Sequence, residues 1–152
     1  MNKDTKNLIT IYYTIQLFFS MVLWIAFTVN HPLRNVTNST LRYGLSILFI
    51  SLLYLLLGYI TMLARHTFLK QNTDAFRMMS IVILFNALSA LIYYLTYDVL
   101  AFNTLNIISV MLNFPGYLFL LLNPLSILNL VVIVVLAPFS FTLGLLIRQT
   151  HH

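Results

Sequence analysis

The sequence predicts an all-α integral membrane protein: a four-helix transmembrane bundle with a re-entrant or interfacial helical hairpin between spans three and four. Of the 152 residues, 61% are hydrophobic and only 7% are charged, and the mean hydropathy is +0.93. A soluble domain carries about 25% charged residues to cover its surface, so most of this chain is expected in lipid. In lipid every backbone N–H and C=O must be paired within the protein, which leaves helices or a closed barrel. Barrel strands alternate apolar and polar residues. Runs such as LSILFISLLYLLLGYITMLA and LNLVVIVVLAPF do not alternate, so the spans are read as helices.

Four apolar runs of about 20 residues or more are long enough to cross a hydrocarbon core of about 30 Å. They are Leu8–Val29, Gly44–Ala64, Met78–Tyr97 and Leu125–Ile147, and none has a charge in its interior. The first follows Lys3 and Lys6 as a signal peptide would. Its apolar run is too long for one, and no small-x-small cleavage site follows, so it reads as an uncleaved anchor. Four spans place Lys3, Lys6, Arg65, Lys70, Arg77 and Arg148 on one side and Arg34 and Arg42 on the other. Six basic residues against two put both termini in the cytoplasm. Abundant Asn, Ile, Phe and Tyr suggest an AT-rich genome, and hence a bacterial cell membrane. The whole chain reads as one transmembrane domain.

The stretch 99–124, VLAFNTLNIISVMLNFPGYLFLLLNP, is the irregular part of the chain. It is apolar, yet Asn103, Asn106, Asn113 and Asn123 interrupt it and Pro115-Gly116 breaks it. Taken as a fifth span, it would carry Arg148 across the membrane and reduce the asymmetry to five against three, so it is expected not to span. Two helical turns over Asn106–Asn113 should stop at Phe114-Pro115, because proline lacks an N–H and pushes its predecessor out of the helical region. Gly116 permits a reversal, and Asn123-Pro124 suits the start of span four. The result is either a hairpin dipping in from the outer side or a helix pair lying flat among headgroups.

Within the spans, Gln16, Asn86, Ser140 and Gly58 fall at similar distances from the cytoplasmic ends of their runs. Such a polar layer either lines a pathway or ties helices together through amide hydrogen bonds. Ser140 and Gly144 also form a small-xxx-small pair, which allows a second helix to approach span four closely. The carboxylates are Asp4, Asp74 and Asp98, all placed outside the spans, which argues against proton-coupled transport and aspartyl proteolysis. His31 and His66 lie on opposite sides, and His151 and His152 end the chain. No pattern of metal-ligand spacing joins them, so no metal and no cofactor is expected. There is no cysteine and no phosphate loop or nucleophile motif. The basic residues are too scattered for a nucleic-acid surface. Arg65, His66, Lys70 and Arg77 suit anionic headgroups, and Tyr12, Tyr13, Tyr93, Tyr94 and Tyr97 suit the two interfaces.

These features point to a non-enzymatic accessory, assembly or regulatory subunit of a larger membrane complex. Its partners would be lipids and either another membrane protein or further copies of itself. The alternative is a small homo-oligomeric transporter or channel for a neutral solute. The positions expected to carry polar or partner contacts are Gln16, Asn86, Ser140, Asn106, Asn113, Pro115 and Gly116.

Overall fold

Among the described residues, four long helices form where the apolar runs lie. The computed structural model describes residues 3–29, 35–64, 72–96, 112–113 and 127–150. They comprise α1 (Lys3–Val29), α2 (Ser39–Ala64), α3 (Asn72–Thr96) and α4 (Ile127–Thr150). The described residues contain no strand. At 24 to 27 residues, each helix is about 36–40 Å long. Helices α2, α3 and α4 are long and apolar enough to cross a membrane.

Helices α1, α2 and α3 begin ahead of their apolar runs, and polar residues stand at the starts of α2 and α3. At α2 the Asn38 side-chain carbonyl accepts the N–H groups of Thr40 (3.0 Å) and Leu41 (3.2 Å). This is an N-cap, which pairs donors that have no partner inside the helix. At α3 Asp74 stands in the first turn, where a carboxylate faces the positive end of the helix dipole. At the other end of α4, Arg148 lies in the last turn, with its guanidinium 5.6 Å from the Tyr59 ring centre on α2. Pro138 inside α4 removes one helical N–H. Its own carbonyl accepts the Thr142 hydroxyl at 2.8 Å.

Each helix buries one row of residues spaced four apart. The rows are Leu8, Tyr12, Gln16 and Ser20 on α1, and Ser46, Ile50, Tyr54, Gly58 and Met62 on α2. On α3 they are Met78, Val82, Asn86 and Ala90, and on α4 Ile133, Ala137, Phe141 and Leu145. A four-residue spacing is the ridge that helices use to pack at right-handed crossings. The opposite faces are apolar: Phe18 and Met21, Leu52 and Leu56, Leu84 and Leu88, Leu128 and Val131 are all exposed. The interior meanwhile holds Gln16, Ser20, Ser46, Thr61, Asn86, Ser89, Ser140 and Thr142. An apolar outside around a partly polar inside inverts the usual arrangement of a water-soluble fold.

Around the bundle the helices follow the order α1, α3, α4, α2. The closest packing is α2 on α4, followed by α3 on α4 and then α1 on α3. Among the described residues, no Cα of α1 comes within 8 Å of α2 or α4. The α2–α4 contact is made by two glycines. A Cβ on Gly58 would collide with the Phe141 carbonyl and sit 3.2 Å from the Leu145 nitrogen. A Cβ on Gly144 would collide with the Leu55 carbonyl and sit 2.9 Å from the Tyr59 nitrogen. Backbone therefore meets backbone on both sides, a separation only glycine allows.

Cross-helix contacts fix the directions of the helices. Tyr12, nine residues after the start of α1 (12 − 3), stacks on Phe141, nine before the end of α4 (150 − 141). Tyr12 also meets Tyr54, ten before the end of α2 (64 − 54). Thr5 near the start of α1 meets Asp74 near the start of α3. The starts of α1 and α3 and the ends of α2 and α4 thus share one end of the bundle.

Widening either glycine should force α2 from α4. Overpacking costs about 1–3 kcal/mol or more, so Gly58→Val and Gly144→Val should each lower the SDS fraction at which the detergent-solubilised protein unfolds. Gly44, where a Cβ would meet nothing within 4 Å, is the control: Gly44→Ala should not lower the midpoint, since alanine is the better helix former.

Candidate functional site: a polar layer between the first and third helices

The four-residue rows place Tyr12, Gln16 and Ser20 inward on α1, facing Asn86 and Ser89 on α3 and Tyr54 on α2. Gln16 is 1% exposed, and its carboxamide is used at both ends. Its carbonyl accepts the Tyr54 hydroxyl. Its amino group donates to the Leu112 main-chain carbonyl at 3.2 Å. Its own backbone carbonyl accepts the Ser20 hydroxyl at 2.6 Å. Gln16 therefore joins α1, α2 and the 112–113 segment through one residue.

Asn86, 2% exposed, holds the other half of the layer. Its side-chain carbonyl accepts the Tyr13 hydroxyl at 3.3 Å. The Asn113 amino group donates both to the Asn86 main-chain carbonyl (3.3 Å) and to the Ser89 hydroxyl (3.1 Å). The segment between α3 and α4 thus reaches the middle of the bundle at residues 112–113. The residues it touches lie seven to ten positions inside the far end of α3 (96 − 89 and 96 − 86), about 10–15 Å along the helix.

Tyr12 is the aromatic centre of the layer and is fully buried. Its ring meets Phe141 edge-on with centres 5.3 Å apart, Tyr13 edge-on at 5.4 Å, and Tyr54 tilted at 6.1 Å. Edge-to-face pairs of this kind add about 0.5–1.5 kcal/mol to the area they bury. The Tyr12 hydroxyl is also buried and makes no well-formed hydrogen bond among the described residues.

A second polar contact lies at the end shared by the starts of α1 and α3. The Asp74 carboxylate, 2% exposed, accepts the Thr5 hydroxyl at 3.1 Å. Arg77, one turn further on, approaches it at 3.9 Å from a largely exposed position. The Thr5 bond ties the start of α1 to the start of α3.

Two of the positions singled out by sequence, Gln16 and Asn86, lie in this layer, and Asn113 joins them. Gly58 instead packs on the α4 backbone, and Ser140 is buried on α4. Asn106, Pro115 and Gly116 lie outside the described residues. Sequence reasoning assigned Tyr12, Tyr13 and Tyr93 to the membrane interfaces. Tyr12 is instead fully buried, Tyr93 is 8% exposed, and Tyr13 bonds inward. The signal for Tyr12 was present: it stands one four-residue step from Gln16 on the buried row. The same step from Ile50 to Gly58 passes through Tyr54. Asp74, placed by sequence outside the spans, stands in the first turn of α3. The Leu112 carbonyl has no sequence signal, because any residue supplies one.

Amide bonds between helices in an apolar setting contribute about 0.6–1.7 kcal/mol each. A double-mutant cycle of Gln16→Leu with Tyr54→Phe should give a coupling energy in that range, measured by SDS unfolding. Asn86→Leu should cost more than Tyr13→Phe, because it removes a buried carboxamide as well as the acceptor of the Tyr13 hydroxyl.

No protein-family model, curated protein or solved structure matches this chain.

Proposed function

We propose that this chain is a multi-pass membrane protein that serves as a non-enzymatic accessory, assembly or regulatory subunit of a larger membrane complex. The observation that carries the reading is where the polar groups are. In the described helices the Gln16 and Asn86 carbonyls take tyrosine hydroxyls, the Ser20, Ser46, Thr61 and Thr142 hydroxyls bond to carbonyls one turn back in their own helices, and the outward faces are apolar. A body of that kind recognises lipid chains and other apolar helices, since along its spans it offers little else to an incoming molecule.

In this reading α1 to α4 all span the cell membrane of a bacterium, and both termini face the cytoplasm. The shared end of the bundle supports that topology, since the start of α1 and the end of α4 lie together there. The basic residues Lys3, Lys6, Arg77 and Arg148 lie toward the same end, as the positive-inside rule requires. The insert 99–124 is re-entrant: the bonds from Asn113 to Asn86 and Ser89 support its descent from the outer side to mid-depth. Leu112 is helical and Asn113 is in a turn; carbonyls at a helix end need partners from outside the helix, and Gln16 supplies one to Leu112.

A second reading, a homo-oligomeric transporter or channel for a neutral solute, is favoured by one observation. The Tyr12 hydroxyl is buried beside an uncharged layer and lacks a well-formed hydrogen bond, as a group that hands a polar solute along a path would.

Native mass spectrometry from nanodiscs, after extraction in mild detergent, separates the readings. The subunit reading predicts a co-purifying membrane protein of different mass, and recovery of lone chains alone would count against it. The transporter reading predicts a defined homo-oligomer, with liposome flux of a neutral solute that Asn86→Leu reduces. The topology has its own test. The protein has no native cysteine, so Asn113→Cys should react only with a thiol reagent that enters from the outer side. Labelling at Asn123 or Pro124 from the cytoplasmic side would overturn four spans.

A further inference from the structure

We propose that Lys6 on α1 and Arg77 on α3 together bind the phosphate of an anionic phospholipid, in the leaflet at the shared end of the bundle. The bond between Thr5 and Asp74 fixes the geometry. It sets these two residues face to face across the α1–α3 contact, at 3.1 Å, and the two helices run in the same direction. A helix turns about 100° per residue, so Lys6, one residue after Thr5, points about 100° round from the line joining the helices. Asp74 points back along that line, and Arg77, three residues later, falls about 120° round in the same sense. Both basic side chains therefore stand on one side of the helix pair. The opposite side carries Leu8 and Ala75, both buried, so it faces the bundle. Exposure agrees: Lys6 is exposed, and so is most of the Arg77 side chain. Asp4, the acid nearest to Lys6 in sequence, precedes Thr5 and falls on the inward side.

Depth points to the same ligand. Lys6 stands two residues before the apolar run that begins at Leu8, and Arg77 one residue before the run at Met78. Measured from the Thr5–Asp74 bond, their levels along the helices differ by about 3 Å. That level is the border of the hydrocarbon, where the headgroups begin. Packed helices lie about 8–10 Å apart, a gap that two long basic side chains can close on one phosphate. Asp74 is buried and accepts the Thr5 hydroxyl. Its 3.9 Å approach to Arg77 is longer than a hydrogen bond, so the guanidinium keeps its N–H donors for an incoming acceptor. Phosphate oxygens suit them. A zwitterionic choline headgroup brings its own cation, which the two side chains repel, so the site selects an anionic lipid. The site rests on the reading that these helices cross a membrane, and not on the subunit reading.

The test is native mass spectrometry of the full chain in detergent, titrated with phosphatidylglycerol or phosphatidylcholine. The expected result is preferential retention of phosphatidylglycerol, weakened about five-fold in Lys6→Gln and in Arg77→Gln and restored in Arg77→Lys. Arg148→Gln is the control. It removes the same charge at the same end of the bundle, but from the α2–α4 side, where Arg148 lies over Tyr59. Its loss should stay below about two-fold. Equal losses in all three glutamine variants would reduce the site to diffuse attraction between a basic end and an acidic leaflet, and would overturn the proposal. So would equal retention of the two lipids by the unaltered chain. Failure to retain either lipid would tell against the membrane reading as well. SDS unfolding of each variant checks the fold, and Lys6→Gln decides alone if Arg77→Gln, which removes the cation beside Asp74, proves unstable.

Discussion

The carboxamide of Gln16 is the interaction on which the centre of the molecule depends. A primary amide has two donors and an acceptor carbonyl, and within an apolar-faced bundle they must be met by the chain itself. Tyr54 meets the carbonyl from α2, and the Leu112 carbonyl meets the amino group from the segment between α3 and α4. Three parts of the chain that are remote in sequence are thereby fixed at one level. Asn86 repeats the arrangement one helix away, taking Tyr13 from α1 on its side chain and Asn113 on its backbone. Leu112 and Asn113 are thus held from both sides, one by α1 and the other by α3.

How much of this was legible in the sequence depends on what kind of signal each feature leaves. The four described helices follow from composition and run length, because an apolar run of about 20 residues has few ways to pair its backbone away from water. Gln16 and Asn86 were visible because an amide in an apolar run is conspicuous. Tyr12, near the end of its run, suits an interface as well as a core, and its place on the four-residue row with Gln16 decides; Tyr54, in mid-run, stands on the equivalent row of α2. Gly144 was visible with Ser140 as a small-xxx-small pair, but the helix that meets it was not. Gly58 was read as a polar-layer position, whereas its missing side chain admits the Phe141 backbone. Asp74 shows the limit of reading charge alone. Its place outside the apolar runs is plain from sequence, while its contact with Thr5 arises from helix ends brought together by the fold.

The helices are joined in two physically different ways, and the division follows from residue size. Small residues on facing rows bring α2 and α4 into backbone contact, where many weak attractions act together. Large residues on the α1 row (Tyr12 and Gln16) keep α1 away from α2 and α4 and replace area with discrete bonds. The two modes respond differently to perturbation. A glycine contact fails as a whole when one methyl group is added, while a set of separate hydrogen bonds loses members singly and keeps the rest.

That difference bears on function, because the polar layer and the helix that closes it are the same structure. Any process that draws on Tyr54, Asn86 or the 112–113 segment has to compete with α1, which already occupies them. A partner helix carrying an amide or hydroxyl at mid-depth would offer the same bonds as Gln16 and would exchange for them at little net cost. A solute path would have to pass the Tyr12, Tyr13 and Tyr54 rings that close around the layer.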